Sequence, residues 1–119
     1  MKMLLLFLIV SLCACSVSRN FSGNDNPGSK SATFDEFNGK QDYKFSLPDK
    51  KPFWLKYNVN LKSGSIHLKI SSSTATIADK EITRMASDSI MINNNDGNDY
   101  KILLNGKHAS GSYEVSYNH

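Results

Sequence analysis

Phe53-Trp54-Leu55-Lys56-Tyr57-Asn58-Val59-Asn60-Leu61-Lys62-Ser63-Gly64-Ser65-Ile66-His67-Leu68-Lys69-Ile70 is the stretch that decides the fold. Its period is two: Phe53, Leu55, Tyr57, Val59 and Leu61 share one face, and Lys56, Asn58, Asn60 and Lys62 share the other. Such alternation describes a strand buried on one side. Ile66, Leu68 and Ile70 then alternate with His67 and Lys69, so Ser63-Gly64 reads as the turn of an antiparallel hairpin. The same logic holds at the other end of the chain. Tyr100, Ile102 and Leu104 lead to Asn105-Gly106, a type I′ signal, and Tyr113 to Tyr117 forms a last strand. Shorter runs lie at Thr33–Phe37, Tyr43–Leu47, Thr74–Ala78, Ile82–Met85 and Ile90–Asn93. No segment carries a convincing helical stripe; Asp79–Ala86 has room for one helical turn, but Ile82 and Thr83 favour strand. The expectation is an all-β domain over residues 32–119, an antiparallel β-sandwich or small barrel of about eight strands.

Upstream of that domain the pattern changes. Lys2, the apolar run Met3 to Val10 and the sequence Leu12-Cys13-Ala14-Cys15 have the charge, core and cleavage site of an export signal. As a membrane helix the run is too short, since its eight residues at ~1.5 Å rise reach only ~12 Å of a hydrocarbon core roughly 30 Å thick. A cysteine directly after a small residue is the lipoprotein form, with cleavage after Ala14 and acylation of Cys15. Taking Cys13 as the acylated residue would put Leu12 where a small side chain is needed. Residues 1–14 are therefore read as a signal peptide and 15–31 as a lipidated N-terminus and flexible tether. The tether is rich in Asn, Asp, Gly, Pro and Ser and spans roughly 20 Å as a random chain.

This N-terminus resembles that of bacterial lipoprotein precursors. Together with Phe53 to Ile70, Tyr100-Lys101-Ile102-Leu103-Leu104-Asn105-Gly106 and Gly111-Ser112-Tyr113-Glu114-Val115-Ser116-Tyr117, it resembles the small β-sandwich lipoproteins of bacteria. The resemblance covers about half the mature chain and implies fold rather than activity. It implies a location on the extracytoplasmic side of the cell envelope, lipid-anchored in the outer leaflet of the cell membrane or in an outer membrane.

Composition narrows the chemistry. The formal charge of +3 includes Lys2, which leaves with the signal, and the one tight basic pair, Lys50-Lys51, sits in a Pro-bounded turn. Nucleic acid is not expected as a partner. Both cysteines lie in the signal region, so the mature domain has neither a disulfide nor a redox pair. No G-x-S-x-G elbow is present, and His67, His108 and His119 stand apart in the sequence. No paired His or Cys spacing suggests a metal, and no cofactor is expected. Asn93 to Asp99 is oxygen-rich, but aligning Gly97 with the invariant glycine of an EF-hand loop puts Ile92 and Leu103 where carboxylates are required. An Asx/Gly turn explains it, and whether the loop holds calcium is left open by sequence. Asp35 and Glu36 are strand neighbours and face opposite ways, so they do not flank one bond.

Aromatic residues give the binding signal. Trp54 is out of phase with Phe53 and Leu55, so its indole faces the polar side, where a flat ring stacks on sugars or anchors a protein contact. Tyr43, Tyr113 and Tyr117 read as core or rim. The functional expectation is a non-catalytic binding module for an envelope protein or glycan, held at the membrane through Cys15. A rival is an envelope inhibitor or exclusion lipoprotein that blocks a hydrolase or phage receptor with a loop, Asn93–Asp99 or His108–Gly111, as the plug.

Overall fold

The ring of Phe45 touches both ends of one strand, and that contact defines the architecture. The computed structural model describes residues 18–95 and 99–118. They form six strands: β1 (Ser22–Asn26), β2 (Ser29–Ser46), β3 (Phe53–Ser72), β4 (Thr76–Ile82), β5 (Met85–Ile92) and β6 (Asp99–Asn118). Every pairing is antiparallel, in the order β1-β2-β6-β3-β4, with β5 also on β3. Tyr100 and Tyr117 lie near opposite ends of β6, about 55 Å apart were the strand straight. Yet Phe45 stacks on both, at 5.2 Å and 3.8 Å between centroids. The sheet is folded over on itself, and its two halves face each other as a sandwich.

Bulges make the fold-over. In β3 the buried side chains are odd-numbered from Phe53 to Leu61 and even-numbered from Ile66 to Ile70. β6 changes from even (Tyr100, Ile102, Leu104) to odd (Ala109, Tyr113, Val115), and β2 from even (Ala32, Phe34) to odd (Phe37, Tyr43). Register shifts sit at these changes, between Phe34 and Gly39 in β2 and between Leu61 and Ser65 in β3. An inserted residue bends a strand, sharpens its twist and resets which face looks inward. Three adjacent strands bending along one line keep one face of the sheet on the inside throughout. β4 and β5 complete the line as a fourth strand interrupted at Thr83-Arg84, where the Leu61 N–H donates to the Arg84 carbonyl at 2.6 Å.

The first layer is therefore β1, the start of β2, the end of β6, the start of β3 and β5. The second is the end of β2, the start of β6, the end of β3 and β4. Between them lies an apolar core in which Leu55, Val59, Ile66, Leu68, Ile70, Ile102, Leu104 and Val115 are fully buried. Across it the hydroxyls of Tyr43, in the second layer, and Tyr113, in the first, share a buried hydrogen bond of 2.7 Å. Burial, reinforced by that bond, holds the Tyr113 hydroxyl well above its ordinary pKa of 10.0. Because the folded state keeps this proton while the unfolded chain releases it, stability is intact below pH ~10 and falls above it. The expected slope is about 1.4 kcal/mol per pH unit. Tyr113→Phe is expected to remove that alkaline loss while costing about 1 kcal/mol at neutral pH, as measured by urea unfolding at pH 7 and pH 11.

An all-β antiparallel sandwich is what the alternation predicts, and it is what forms. The nine expected runs become six strands: three pairs fuse into β2, β3 and β6, the run Ile82–Met85 is instead the break between β4 and β5, and β1 is added. Ser63-Gly64 and Asn105-Gly106, expected as hairpin turns, are points inside continuous strands. Gly64 has the positive φ, 73°, that a turn would also demand. Asp79–Ala86 contains no helix.

The expected tether also shortens. Ser22–Asn26 and the start of β2 form a hairpin across Pro27-Gly28, where Gly28 at φ 84° follows a proline as in a type II turn. Lys30, expected in the tether, is buried. Its Nζ donates to Asp25 and to the Asn26 carbonyl at 3.1 Å, and it lies 6.0 Å from the Tyr117 ring centroid. Burial, the largest single influence, would lower the Lys30 pKa, but the hydrogen bonds and charges of Asp25 and Tyr117 together outweigh it and the net shift is upward. Cys15 and the proposed signal lie outside the described residues, as do 96–98 of the Asn93–Asp99 loop.

Candidate binding face

The two layers present very different outer faces. On the second layer, His67 pairs with Glu81 on β4 and with Asn105 on β6, Lys69 pairs with Asp79 and Leu103, and Lys44 with Lys101. This face is laced with charge: Lys101 meets Asp42 at 3.3 Å, and His67 lies between Glu81, at 3.1 Å from Nδ1, and Asp79 at Nε2. Such alternating pairs describe a solvated face. Sequence spacing missed the approach of two carboxylates to His67, because β4 is brought alongside only by pairing.

The first layer is almost free of charge on its outer side. Reading across the strands, one row holds Ser89, Lys56, Ser116, Ser29 and Asn26. The next holds Ser87, Asn58, Glu114, Ser31 and Asn24, and the third Met85, Asn60, Ser112, Thr33 and Ser22. Lys56 and Glu114 carry the two charges of these fifteen positions. Alternation fixes the placement: the inward partners Leu55, Tyr57, Val59, Ala32, Tyr113 and Val115 are buried, so the intervening residues project outward. A rigid sheet thus holds a grid of hydroxyls and amides.

Above the first row stands Trp54, paired with Met91 on β5 and 44% exposed. The structure puts its indole on the outer side, at the edge of a small depression of about 230 Å³ shared with Lys56 and Ser89. This depression continues into one of about 330 Å³ over Asn58, Ser87 and Glu114. A third, of about 320 Å³, links Asn58 and Glu114 to Ser31 and Ser112, and a fourth, of about 350 Å³, ends at Asn60, Lys62 and Asn20. Neighbouring depressions share lining residues and so form one open trough. From Trp54 to Asn60 it follows six residues of β3, or ~20 Å.

The other residues singled out from sequence are structural. Asn94 is fully buried, its Nδ2 donating to the Leu47 carbonyl at 2.7 Å and its Oδ1 accepting from the Tyr100 hydroxyl at 2.7 Å. That side chain is spent inside the protein rather than offered to a cation. Among the described residues no cluster of His, Cys, Asp and Glu is arranged for a metal ion. His108–Gly111 is not a protruding loop but the bulged bend of β6, with Ala109 fully buried, so it makes no plug. His108 Nδ1 meets Glu36 at 2.8 Å, and this bond, with a smaller contribution from Arg19, holds the Glu36 carboxyl below its ordinary range.

No protein-family model matches this chain, and no curated protein matches it in sequence. Solved structures do resemble it. The pre-peptidase C-terminal domain of collagenase from Bacillus anthracis is 11% identical, with a TM-score of 0.52 over 80% of this chain and 100% of that one. A carbohydrate-binding module of Cellvibrio mixtus lichenase 5A, solved with cellotriose, is 14% identical, with a TM-score of 0.44 over 89% of this chain and 92% of that one. A family 35 carbohydrate-binding module from Clostridium thermocellum is 15% identical, with a TM-score of 0.44 over 86% and 88%. At these identities the first likeness speaks for the fold alone.

Proposed function

We propose that this chain is a non-catalytic module that binds a neutral glycan along the outer face of the first layer, and that acylation of Cys15 holds it at the bacterial cell envelope. The observation that carries the binding reading is the contrast between the faces: one salt-laced, the other a nearly uncharged grid of Ser, Thr and Asn ending on an exposed tryptophan. Sugar hydroxyls are both donors and acceptors, and Ser hydroxyls and Asn amides match them without the desolvation penalty of ions. An exposed indole at the end of the trough offers apolar area against the C–H face of a sugar ring. Along the trough Lys56 and Lys62 stand against Asp35, Asp88 and Glu114, so its charges nearly cancel, which favours an uncharged ligand. Strand-borne side chains keep their spacing, so little ordering is needed on binding.

Trp54 is the single tryptophan of the chain, so its fluorescence reports on this site alone. A neutral linear oligosaccharide that occupies the trough is expected to shift that emission saturably. Trp54→Ala is expected to weaken binding by roughly 2 kcal/mol, about thirtyfold, in calorimetric titration. Binding undiminished by Trp54→Ala would move the ligand off this face.

A further inference from the structure

We propose that the bent edge of the sandwich is a lipid-facing surface, docked on anionic headgroups, so that the domain stands on the membrane with the Trp54 end pointing away. The inference rests on the reading of Cys15 as acylated, and adds to it an orientation. Chain length gives the first argument. Residues 18–21 are fastened to the bend. The Asn38 N–H donates to Ser18 Oγ at 3.3 Å, Arg19 forms a two-way backbone bridge with Glu36, and Phe21 packs 5.3 Å from Phe37 and 5.8 Å from Phe34. Two residues, Ser16 and Val17, lie between Cys15 and Ser18, and over those three steps a fully extended chain covers at most ~3.6 Å each. A lipid on Cys15 therefore lies within about 11 Å of Ser18, and no free tether remains to hold the bend away from the membrane.

Charge gives the second. Around the bend project Arg19, Lys62, Arg84 and Lys107, with His108 beside them, all exposed. Two acids share the region and both are engaged: Asp35 accepts from Asn20, and Glu36 takes Arg19 and His108. Lys62, Arg84 and Lys107 make no ion pair among the described residues. Basic residues within a Debye length of an anionic leaflet, ~8 Å at physiological salt, gain roughly fivefold each in association. The opposite end of the strands, with Trp54 and the Lys50-Lys51 turn, lies beyond that reach.

The orientation is tested on the lipidated protein taken from bacterial membranes and reconstituted into vesicles of phosphatidylcholine alone or mixed equally with phosphatidylglycerol. The mature chain has no free thiol, so Ser63→Cys places one fluorophore at the bend and Lys51→Cys places one at the far end. A headgroup-attached quencher is expected to quench the bend label several-fold more than the far label on the anionic vesicles. Lys62→Gln/Arg84→Gln/Lys107→Gln is expected to reduce bend quenching there to the level on neutral vesicles. Equal quenching of the two labels, or no effect of the triple variant, overturns the docking while leaving the anchor intact. An intact mass without lipid on Cys15 overturns the anchor and the docking together.

Discussion

Gly64→Ala is expected to remove most of the domain's folding stability. Gly64 sits where β3 crosses the bend, at φ 73°, a conformation that costs any residue with a Cβ. The backbone of β6 passes so closely that an added Cβ would lie 2.1 Å from the His108 carbonyl oxygen and 2.6 Å from Ala109 Cα. Neither neighbour can yield: Ala109 is fully buried, and both belong to a strand paired on each side. Relief requires separating β3 from β6 at the line where the two layers are joined. A cost of roughly 4 kcal/mol or more follows, against the ~5 kcal/mol expected at the lower end for a small domain. Gly111, at φ 144° with a Cβ position 2.1 Å from the Asn60 carbonyl, should behave alike. Gly28→Ala is the control. Its φ of 84° carries a strain cost, but its nearest contact is 3.1 Å at an exposed hairpin, so a weaker but still cooperative urea transition is expected.

Asn94→Ala should cost roughly 3 kcal/mol, nearly as much, for a different reason. Asn94 ties the turn after β2 to the connection before β6, both at the end of the sandwich that carries Trp54. Truncation strips one hydrogen bond from the Leu47 carbonyl and one from the Tyr100 hydroxyl, in a place from which water is excluded. Asn94→Asp separates the two contributions. It keeps an acceptor for Tyr100 but sets a buried carboxylate against the Leu47 carbonyl, and should destabilise more than alanine at pH 7 and less at pH 4, where protonation restores a donor. Urea midpoints of the three proteins at both pH values check the order.

How much of this was legible in the sequence follows from which interactions are local. The inward and outward residues of β3, including the outward placement of Trp54, and the apolar set Tyr100, Ile102 and Leu104 of β6 come from alternation alone, because a pleated strand leaves no other option. Even the bend left a trace: the change from odd to even between Leu61 and Ile66. A hairpin turn and a bulge both call for a glycine at positive φ, so Ser63-Gly64 satisfied either. What distinguishes them is that β6 changes parity at the facing position, between Leu104 and Ala109, which is information from forty residues away. β1 was unreadable for another reason. All five of its residues are exposed, so an edge strand of Ser, Gly, Asn and Asp has no apolar period and looks like a tether. The trough was likewise hidden. Each Ser or Asn alone is an ordinary solvent-facing residue, and the face exists only once five strands are laid side by side.

The central claim is that this uncharged face is the binding surface. Its most direct test is a backbone amide shift map of the isotope-labelled protein, recorded while a panel of neutral linear oligosaccharides is titrated in. The account predicts that the ligand which binds will move Trp54, Lys56, Asn58, Asn60, Ser112 and Glu114 together, leaving Asp42, His67 and Lys69 on the other layer unmoved. Shifts centred on the charged layer, or none with any member of the panel, would contradict it.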